Sequence, residues 1–388
     1  MKVLFLNYEY PPLGGGAGNA TKFLLQEYTK KENLSIDLVT SAISGDFVEM
    51  HTEKDVNVFR LPVGKDGKNL QKQSQIELLR YAWTAYWFAR NRIKNGEQYD
   101  VIHAFFSVPC GVMALALSWE FKVPYIVSLR GADVPGYAER FRWIYGFLRP
   151  IIRYTWKQST HVVSNSEGLK QLALKTNKNQ SIDIIYNGVD TDFFHPDTTK
   201  RSAKTITILC ASRLTSRKGL CYAIEAFSLL QKQYPQLRMI LAGGDGDAGE
   251  DLRRQVQELH LEKEISFHGE YDHGTLLKLQ QASDIFLFPS LNEGMSNSML
   301  EAMASALPVI MTPTGGAQEL VKDGKNGYLV KFRNAQDIAD KIQLLLENPS
   351  LREKMGGESR RVAVSLSWNS VARSYEKIYE ESAKKDAS

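Results

Sequence analysis

Two glutamates, Glu293 and Glu301, bracket the stretch Glu293-Gly294-Met295-Ser296-Asn297-Ser298-Met299-Leu300-Glu301. A helix is expected to begin near Ser296, from the stripe of Met299, Leu300 and Met303. Glu293 then stands just before the helix and Glu301 inside it, with the free N–H groups of Met295, Ser296 and Asn297 between them. Carboxylates accept from hydroxyls and amides donate to them, so this pattern suits a polyhydroxylated ligand. An acid before a helix N-terminus also suits the helix dipole alone, which leaves Glu293 a purely structural alternative. Glu301 adjoins Ala302 and Met303 in an apolar segment, where an unpartnered carboxylate is costly.

Two further loops carry anion chemistry. In Ala211-Ser212-Arg213-Leu214-Thr215-Ser216-Arg217-Lys218-Gly219, Arg213 and Lys218 share one loop, and Lys218 is expected at the start of the next helix. Two cations and a helix N-terminus can converge there on one dianion; the alternative is a solvated basic turn. Near the N-terminus, Gly14-Gly15-Gly16-Ala17-Gly18 follows a strand and opens a helix, so its backbone N–H groups can approach phosphate oxygens. The register is not G-x-G-x-x-G, and the second strand ends at Thr40 and Ser41 with no acid, which argues against a nicotinamide cofactor.

These loops need strands and helices to hold them. Apolar runs at Val3–Leu6, Ile36–Thr40, Val56–Leu61, Val101–Ala104, Tyr125–Leu129 and His161–Ser164 alternate with helical stretches, among them Ser74–Lys94, one from Pro109, and Glu139–Lys157. A second series of strands starts at Thr205–Ala211 and continues through Leu237–Ala242, Ile265–His268, Ile285–Phe288, Pro308–Met311 and Gly327–Val330. Such alternation predicts two α/β domains, each a parallel sheet covered by helices. The turn-rich segment from Asn187 to Thr199 separates them. Ligands are expected at the carboxyl ends of the strands.

The 388 residues are 43 % hydrophobic and 24 % charged, as in an ordinary globular protein. A net charge of +4 is too mild to imply nucleic acid as a partner. Cys110, Cys210 and Cys221 are scattered, which excludes a disulfide framework and cysteine-based metal sites. No apolar run reaches a membrane span, and Val3–Leu6 is too short for the core of a signal peptide, so a cytoplasmic protein is expected.

Taken in order, Asp100-Val101-Ile102-His103, Ile185-Tyr186-Asn187-Gly188-Val189-Asp190, Leu241-Ala242-Gly243-Gly244-Asp245-Gly246, Phe267-His268-Gly269, Glu293-Gly294 through Glu301-Ala302-Met303-Ala304, and Gly315-Gly316 with Glu319 span most of the chain. Together with the two anion loops, this series resembles the retaining nucleotide-sugar glycosyltransferases of the GT-B fold, family 4. The resemblance implies two Rossmann-like domains facing a central cleft. We expect an acceptor domain at 1–195 and a donor domain at 196–366, with a terminal helix at 367–385 packing back on the first.

By the same resemblance, Gly15 and Gly16 bring backbone to the donor diphosphate, and Arg213 and Lys218 neutralise it as the sugar leaves. Glu301 accepts from the ribose hydroxyls. Glu293, with the amides of Gly294, Met295, Ser296 and Asn297, holds the donor sugar, and Glu270 with Tyr271 faces the base. Many members carry a His-Gly-x-Asp run whose histidine reaches the donor sugar. Here that run is Arg130-Gly131-Ala132-Asp133; arginine cannot act as a base, but it binds phosphate or an acidic sugar. Asp245-Gly246-Asp247 is similar to the Asp-x-Asp metal site of another glycosyltransferase fold, yet it falls in a glycine turn after a strand. No metal or other cofactor is expected, because Arg213 and Lys218 already face the diphosphate charge. His103 either lines the cleft or belongs to the core.

The expected reaction moves a hexose-type unit from a nucleoside diphosphate, UDP in preference to GDP, to a hydroxyl of a glycan or lipid-linked glycan, with retention of configuration. Rival readings are a sugar-nucleotide epimerase of similar fold and a non-catalytic binder of nucleotide-sugars or glycans. Residues 139–157 interleave Arg140, Arg142, Arg149, Arg153 and Lys157 with Phe141, Trp143, Tyr145, Phe147, Tyr154 and Trp156. Residues 70–95 do the same with Lys72, Arg80, Arg90, Arg92 and Lys94 among Tyr81, Trp83, Tyr86 and Trp87. Either these form a peripheral contact with an anionic membrane, or the aromatics are core and the cations a solvated face.

Overall fold

Each buried apolar run becomes a strand flanked by amphipathic helices, and the chain divides into two units, 1–187 with 368–388, and 188–367. The computed structural model describes all residues except 53–54, 66, 68–69, 71–72, 138–141, 198–204, 294, 315–316 and 386–388.

The first unit holds strands β1 (Lys2–Leu6), β2 (Ser35–Ser41), β3 (Val48–Thr52), β4 (Val56–Leu61), β5 (Val101–Phe105), β6 (Tyr125–Leu129), β7 (His161–Ser164) and β8 (Asp183–Ile184). Their order is β3-β4-β2-β1-β5-β6-β7-β8, parallel apart from the antiparallel pairing of β3 with β4. Its helices are α1 (Gly16–Tyr28), α2 (Gln75–Lys94), α3 (Val112–Phe121), α4 (Arg142–Gln158) and α5 (Glu167–Leu174). Ser74 opens α2 with a reciprocal cap: its hydroxyl accepts from Glu77 N at 3.2 Å while the Glu77 carboxylate accepts from Ser74 N at 2.7 Å. The helix expected from Pro109 starts at Val112 instead, after a tight turn over Ser107–Gly111.

The second unit holds β9 (Ile206–Ala211), β10 (Leu237–Ala242), β11 (Ile265–Gly269), β12 (Ile285–Phe288), β13 (Val309–Met311) and β14 (Gly327–Leu329), in the order β11-β10-β9-β12-β13-β14, all parallel. Helices α6 (Leu220–Gln231), α7 (Gly249–Glu258), α8 (His273–Gln281), α9 (Asn297–Ala304), α10 (Ala317–Leu320), α11 (Ala335–Glu347) and α12 (Pro349–Ser365) belong to it. Parallel strands buried on both faces read as continuous apolar runs, as in the fully buried Ile-Phe-Leu-Phe of β12.

The first unit yields at Asn187, ahead of the expected boundary at 195. Val189 N donates to Leu366 O at 2.9 Å, and the buried Phe194 gives its carbonyl to Arg360 Nη1 at 2.6 Å, which ties this stretch to the second unit. The last helix, α13 (Trp368–Lys385), sends Trp368, Val371, Tyr375, Ile378 and Tyr379 into the core of the first unit beside Phe5 and Phe105. Among the described residues no helix is long and apolar enough to cross a membrane.

Candidate functional site

In the second sheet the strand order reverses between β9 and β12. Open parallel sheets bind ligands at such a switch, beyond the carboxyl ends of the strands. The loop after β9 carries Arg213 and Lys218, and the loop after β12 carries Glu293. Lys218 is not on the helix expected for it: it closes a short turn over Ser216–Lys218, and α6 begins at Leu220. Between them Gly219 adopts φ +63°, where a Cβ would stand 2.3 Å from Pro289 O. Only glycine lets the two loops approach this closely. Leu291 N donates to Arg217 O at 2.8 Å and fastens the second loop to the first.

The loops thereby deliver Lys218 Nζ to Glu293 Oε1, and the same oxygen accepts from Ser290 Oγ at 2.9 Å. Lys218 also lies 4.9 Å from the Phe288 ring centroid. Burial lowers the Lys218 pKa, with Glu293 opposing the shift. Lys218 and Glu293, assigned above to opposite ends of a donor, are partners in this structure. Arg213 is exposed on the same loop.

Helix α9 begins one residue past the expected start: Ser296 is its N-cap, accepting from Met299 N at 3.3 Å. Met295 and Ser296 are buried and Asn297 is half-buried, while Gly294 lies outside the described residues. Glu301 is 9 % exposed, and burial pushes its carboxyl up to about 7. His273, first residue of α8, brings Nδ1 to 3.9 Å from Glu301 Oε1, and its ring meets the rings of Phe193 and Phe194. Burial, with Glu301 adding to it, raises the Tyr271 phenol. Glu270 is exposed after β11, its carboxylate lying over Gly244, where a Cβ would stand 2.5 Å from Oε1.

Asp245 Oδ1 accepts from Arg253 Nη1 at 2.8 Å, and Asp247 Oδ2 from Ser216 Oγ at 2.6 Å. These partners engage both acids of the Asp-x-Asp run separately. Among the described residues no cluster of three metal-ligating side chains occurs.

In the first unit the strand order reverses between β1 and β5. The glycine loop follows β1 and leads into α1, but one of its amides already has an anion: Gly15 N donates to Glu9 Oε2 at 3.4 Å. A Cβ at Gly14 would stand 2.6 Å from the Glu9 Cβ, so this side chain lies along the loop. Burial raises the Glu9 carboxyl against the pull of the Gly15 and Gly18 N–H groups. Gly16 has open space where a side chain would stand.

Arg130 follows β6 directly, with its guanidinium 5.0 Å from the Phe105 ring centroid. His103 is a core residue: fully buried, it meets Tyr379 Oη at 2.7 Å through Nδ1 and Ser128 Oγ at 2.6 Å through Nε2. Burial holds it neutral, assisted by Arg130.

The basic aromatic helices divide between core and surface. Tyr81, Tyr145 and Trp156 are buried, whereas Trp83 is 68 % and Phe147 83 % exposed. Arg149, Arg153 and Lys157, each four residues apart along α4, line an open cavity of about 700 Å³ together with Asn177, Asn179 and Gln180. Helix α3 packs against both α2 and α4, and its Trp119 meets Tyr154 at a centroid distance of 5.8 Å. Lys72, Arg140 and Phe141 fall outside the described residues, as do the side chains of Arg142 and Trp143.

Glu9, Ser290 and His273 carry no sequence signal of their own, because each acts on a residue distant in the chain or across a loop.

Residues 14–193 match the family described as Glycosyltransferase Family 4, and residues 192–362 match Glycosyl transferases group 1. An uncharacterised glycosyltransferase of Methanocaldococcus jannaschii is 25 % identical over 381 residues, 98 % of each chain. Among solved structures, sucrose-phosphate synthase from Thermosynechococcus elongatus superposes with a TM-score of 0.82 at 22 % identity over 98 % of each chain. Anabaena HepE, in complex with UDP-glucose, superposes with a TM-score of 0.74 at 20 % identity, covering 98 % of this chain and all of its own (100 %).

Proposed function

Because this chain belongs to the family 4, group 1 glycosyltransferases and has their GT-B fold, we propose that it moves a hexose-type sugar from a nucleoside diphosphate to a hydroxyl acceptor with retention of configuration. The observation that carries this reading is the convergence of Lys218, Arg213 and Glu293 on two fastened loops at the switch point of the second sheet. UDP is the favoured nucleotide, in keeping with the UDP-glucose bound by Anabaena HepE.

Glu301 accepts from the ribose hydroxyls, and the base lies against Glu270 and Tyr271. The N–H groups of Gly294, Met295, Ser296 and Asn297 and the Glu293 carboxylate hold the sugar. Lys218 leaves Glu293 for the diphosphate and, with Arg213, stabilises the charge that grows on the leaving phosphate. The departing phosphate oxygen receives the acceptor proton on the same sugar face. Gly15 and Gly16 add backbone donors once the Glu9 carboxylate withdraws. No metal is required, since two cations meet the diphosphate.

The acceptor is a glycan or lipid-linked glycan, and the protein is cytoplasmic and peripheral at an anionic membrane. The basic cavity of α4 beside exposed Phe147 supports this location. The test of the whole reading is a mass-spectrometric screen of UDP- and GDP-sugars. Hydrolysis or transfer from a UDP-sugar supports it; sugar interconversion without acceptor supports an epimerase instead.

A further inference from the structure

Helix α4 carries two residues that a helix interior disfavours. Gly146 and Pro150 stand four residues apart, and both line the open cavity of the first unit. Glycine loses more backbone freedom than any other residue, and proline has no N–H for the carbonyl four residues back, here that of Gly146. Packing requires neither of them: both are exposed, and a Cβ at Gly146 would meet nothing within 4 Å. What glycine provides at this position is space, since a long side chain there would stand in the cavity.

The cavity is cationic. Arg149, Arg153 and Lys157 line its α4 side, and no carboxylate is among the lining residues. Among the described residues none of the three cations is in an ion pair. The helix dipole accounts for Lys157 in the last turn but not for Arg149 two turns earlier. The opposite wall is neutral and held in place. Asn177 Nδ2 donates to Gln180 Oε1 at 3.2 Å, and Gln180 Nε2 donates to Ser181 O at 3.2 Å and to Trp156 O at 3.4 Å, which fastens this loop to the end of α4.

The adjoining face of α4 is apolar and uncovered. Phe147, Ile151 and Tyr154 recur there at helical spacing, all exposed, and Tyr154 also lines the cavity. Exposed Trp119 of α3 extends the same rim. A cation-lined cavity edged by apolar side chains is complementary to an amphiphile, with phosphate inside and hydrocarbon over the rim. The cavity also stands apart from the reaction. The second half of α4 leads into the start of β7, and Asn177–Gln180 leads into the start of β8, so the cavity lies towards the amino ends of these strands. Ligands of the reaction belong at the carboxyl ends.

We propose that this cavity binds the phosphate of one anionic phospholipid, with Phe147, Ile151 and Trp119 against its acyl chains. The inference rests on the membrane location given above and deepens it: a basic surface is drawn to a charged bilayer without any cavity, whereas a site for a single lipid needs one. A choline headgroup is refused, because its ammonium would meet three cations.

Short-chain lipids below their micelle concentration separate the site from the surface, because a monomeric lipid carries no surface potential. In calorimetry with the full chain, one dihexanoyl phosphatidylglycerol should bind per chain, and dihexanoyl phosphatidylcholine and glycerol 3-phosphate should each bind at least about tenfold more weakly. Gly146→Leu fills the cavity without changing the charge. It should weaken phosphatidylglycerol binding at least about tenfold, with no fall in melting temperature because leucine is the better helix former. Arg153→Gln should weaken binding by about tenfold, and Lys178→Gln, an equal loss of charge outside the lining, by no more than about twofold. Donor hydrolysis should match wild type in all three variants. Equal binding of the two lipids overturns the proposal, as does phosphatidylglycerol binding that Gly146→Leu leaves intact. Glycerol 3-phosphate bound as tightly as the lipid overturns it too, by making the cavity a site for soluble phosphate esters. Sedimentation with phosphatidylglycerol vesicles keeps the two readings apart. Vesicle binding by a wild type that takes up no monomeric lipid defeats only the cavity, whereas no vesicle binding at all defeats the membrane location and this inference with it.

Discussion

Lys218 and Glu293 hold each other, although 75 residues separate them in the chain, and Ser290 secures the glutamate end of the pair. Both side chains are close to nine-tenths buried, at 13 % and 11 % exposure. A pair so placed keeps the ammonium desolvated, and under the proposed function an arriving diphosphate would have to compete with Glu293 for it.

Replacing Lys218 by Ala should lower kcat by roughly 10²–10³, the usual effect of losing a key electrostatic donor. Steady-state kinetics with a UDP-sugar will read this, and an unchanged kcat would remove Lys218 from the leaving-group role.

If Glu301 accepts from the ribose as proposed, donor affinity should depend on pH. Its carboxyl is held up to about 7 by burial, and hydroxyl donors favour the ionised form. Donor Kd should therefore rise about tenfold for each pH unit below 7, towards the ordinary carboxyl range. Because the fold opposes this ionisation, the contribution to stability is fully present below the unfolded-state pKa and is lost as pH rises through about 7. Glu301→Gln should flatten both profiles and raise the donor KM more than it lowers kcat. Titration calorimetry between pH 5.5 and 8 will distinguish the two proteins.

Gly219→Ala should destabilise the second unit by at least about 1–2 kcal/mol from left-handed strain alone, with the Pro289 carbonyl adding to it. It should also separate Lys218 from Glu293. Urea unfolding measures the first effect, and a fall in kcat beyond that of neighbouring surface substitutions measures the second.

Turnover should persist in EDTA. A loss reversed by Mg²⁺ or Mn²⁺ would return Asp245 and Asp247 to consideration, in spite of their bonds to Arg253 and Ser216.

At the membrane, each Lys or Arg near an anionic surface contributes about 1 kcal/mol. Changing Arg149, Arg153 and Lys157 together to Glu removes three attractions and adds three repulsions, and should therefore weaken partition onto anionic vesicles by at least roughly 10² at low salt, while donor hydrolysis stays at the wild-type rate. Sedimentation with anionic and neutral vesicles reads this; equal binding to both kinds would assign the contact to Phe147 and its exposed neighbours rather than to charge.

The parallel strands were legible because burial on both faces leaves continuous apolar runs, as in β1 and β12. Edge strands leave no such mark. In β3, Val48 and Met50 are 37 % and 45 % exposed, and the run reads as a loop; β8 has only two residues. Among the site residues, the burial of Glu301 followed from its apolar neighbours in the chain. The bond between Lys218 and Glu293 did not, since it depends on two loops fastened by Gly219 and Leu291 N. The aromatics of α2 and α4 show the limit of composition: identical residue types serve as core at Trp156 and as surface at Trp83.

Helix α13 has a consequence for synthesis. The second unit is an insertion within the first, entered after Asn187 and left at Ser367, and its two ends lie side by side where Val189 bridges Ser367. During translation the insertion has its entire sequence while the surrounding unit still lacks Tyr375 and Tyr379, two of its large core side chains. Closure of the first unit therefore waits on α13, and a chain broken just after Ser367 would strip core side chains from the unit that begins the sequence while leaving the sequence of the second whole.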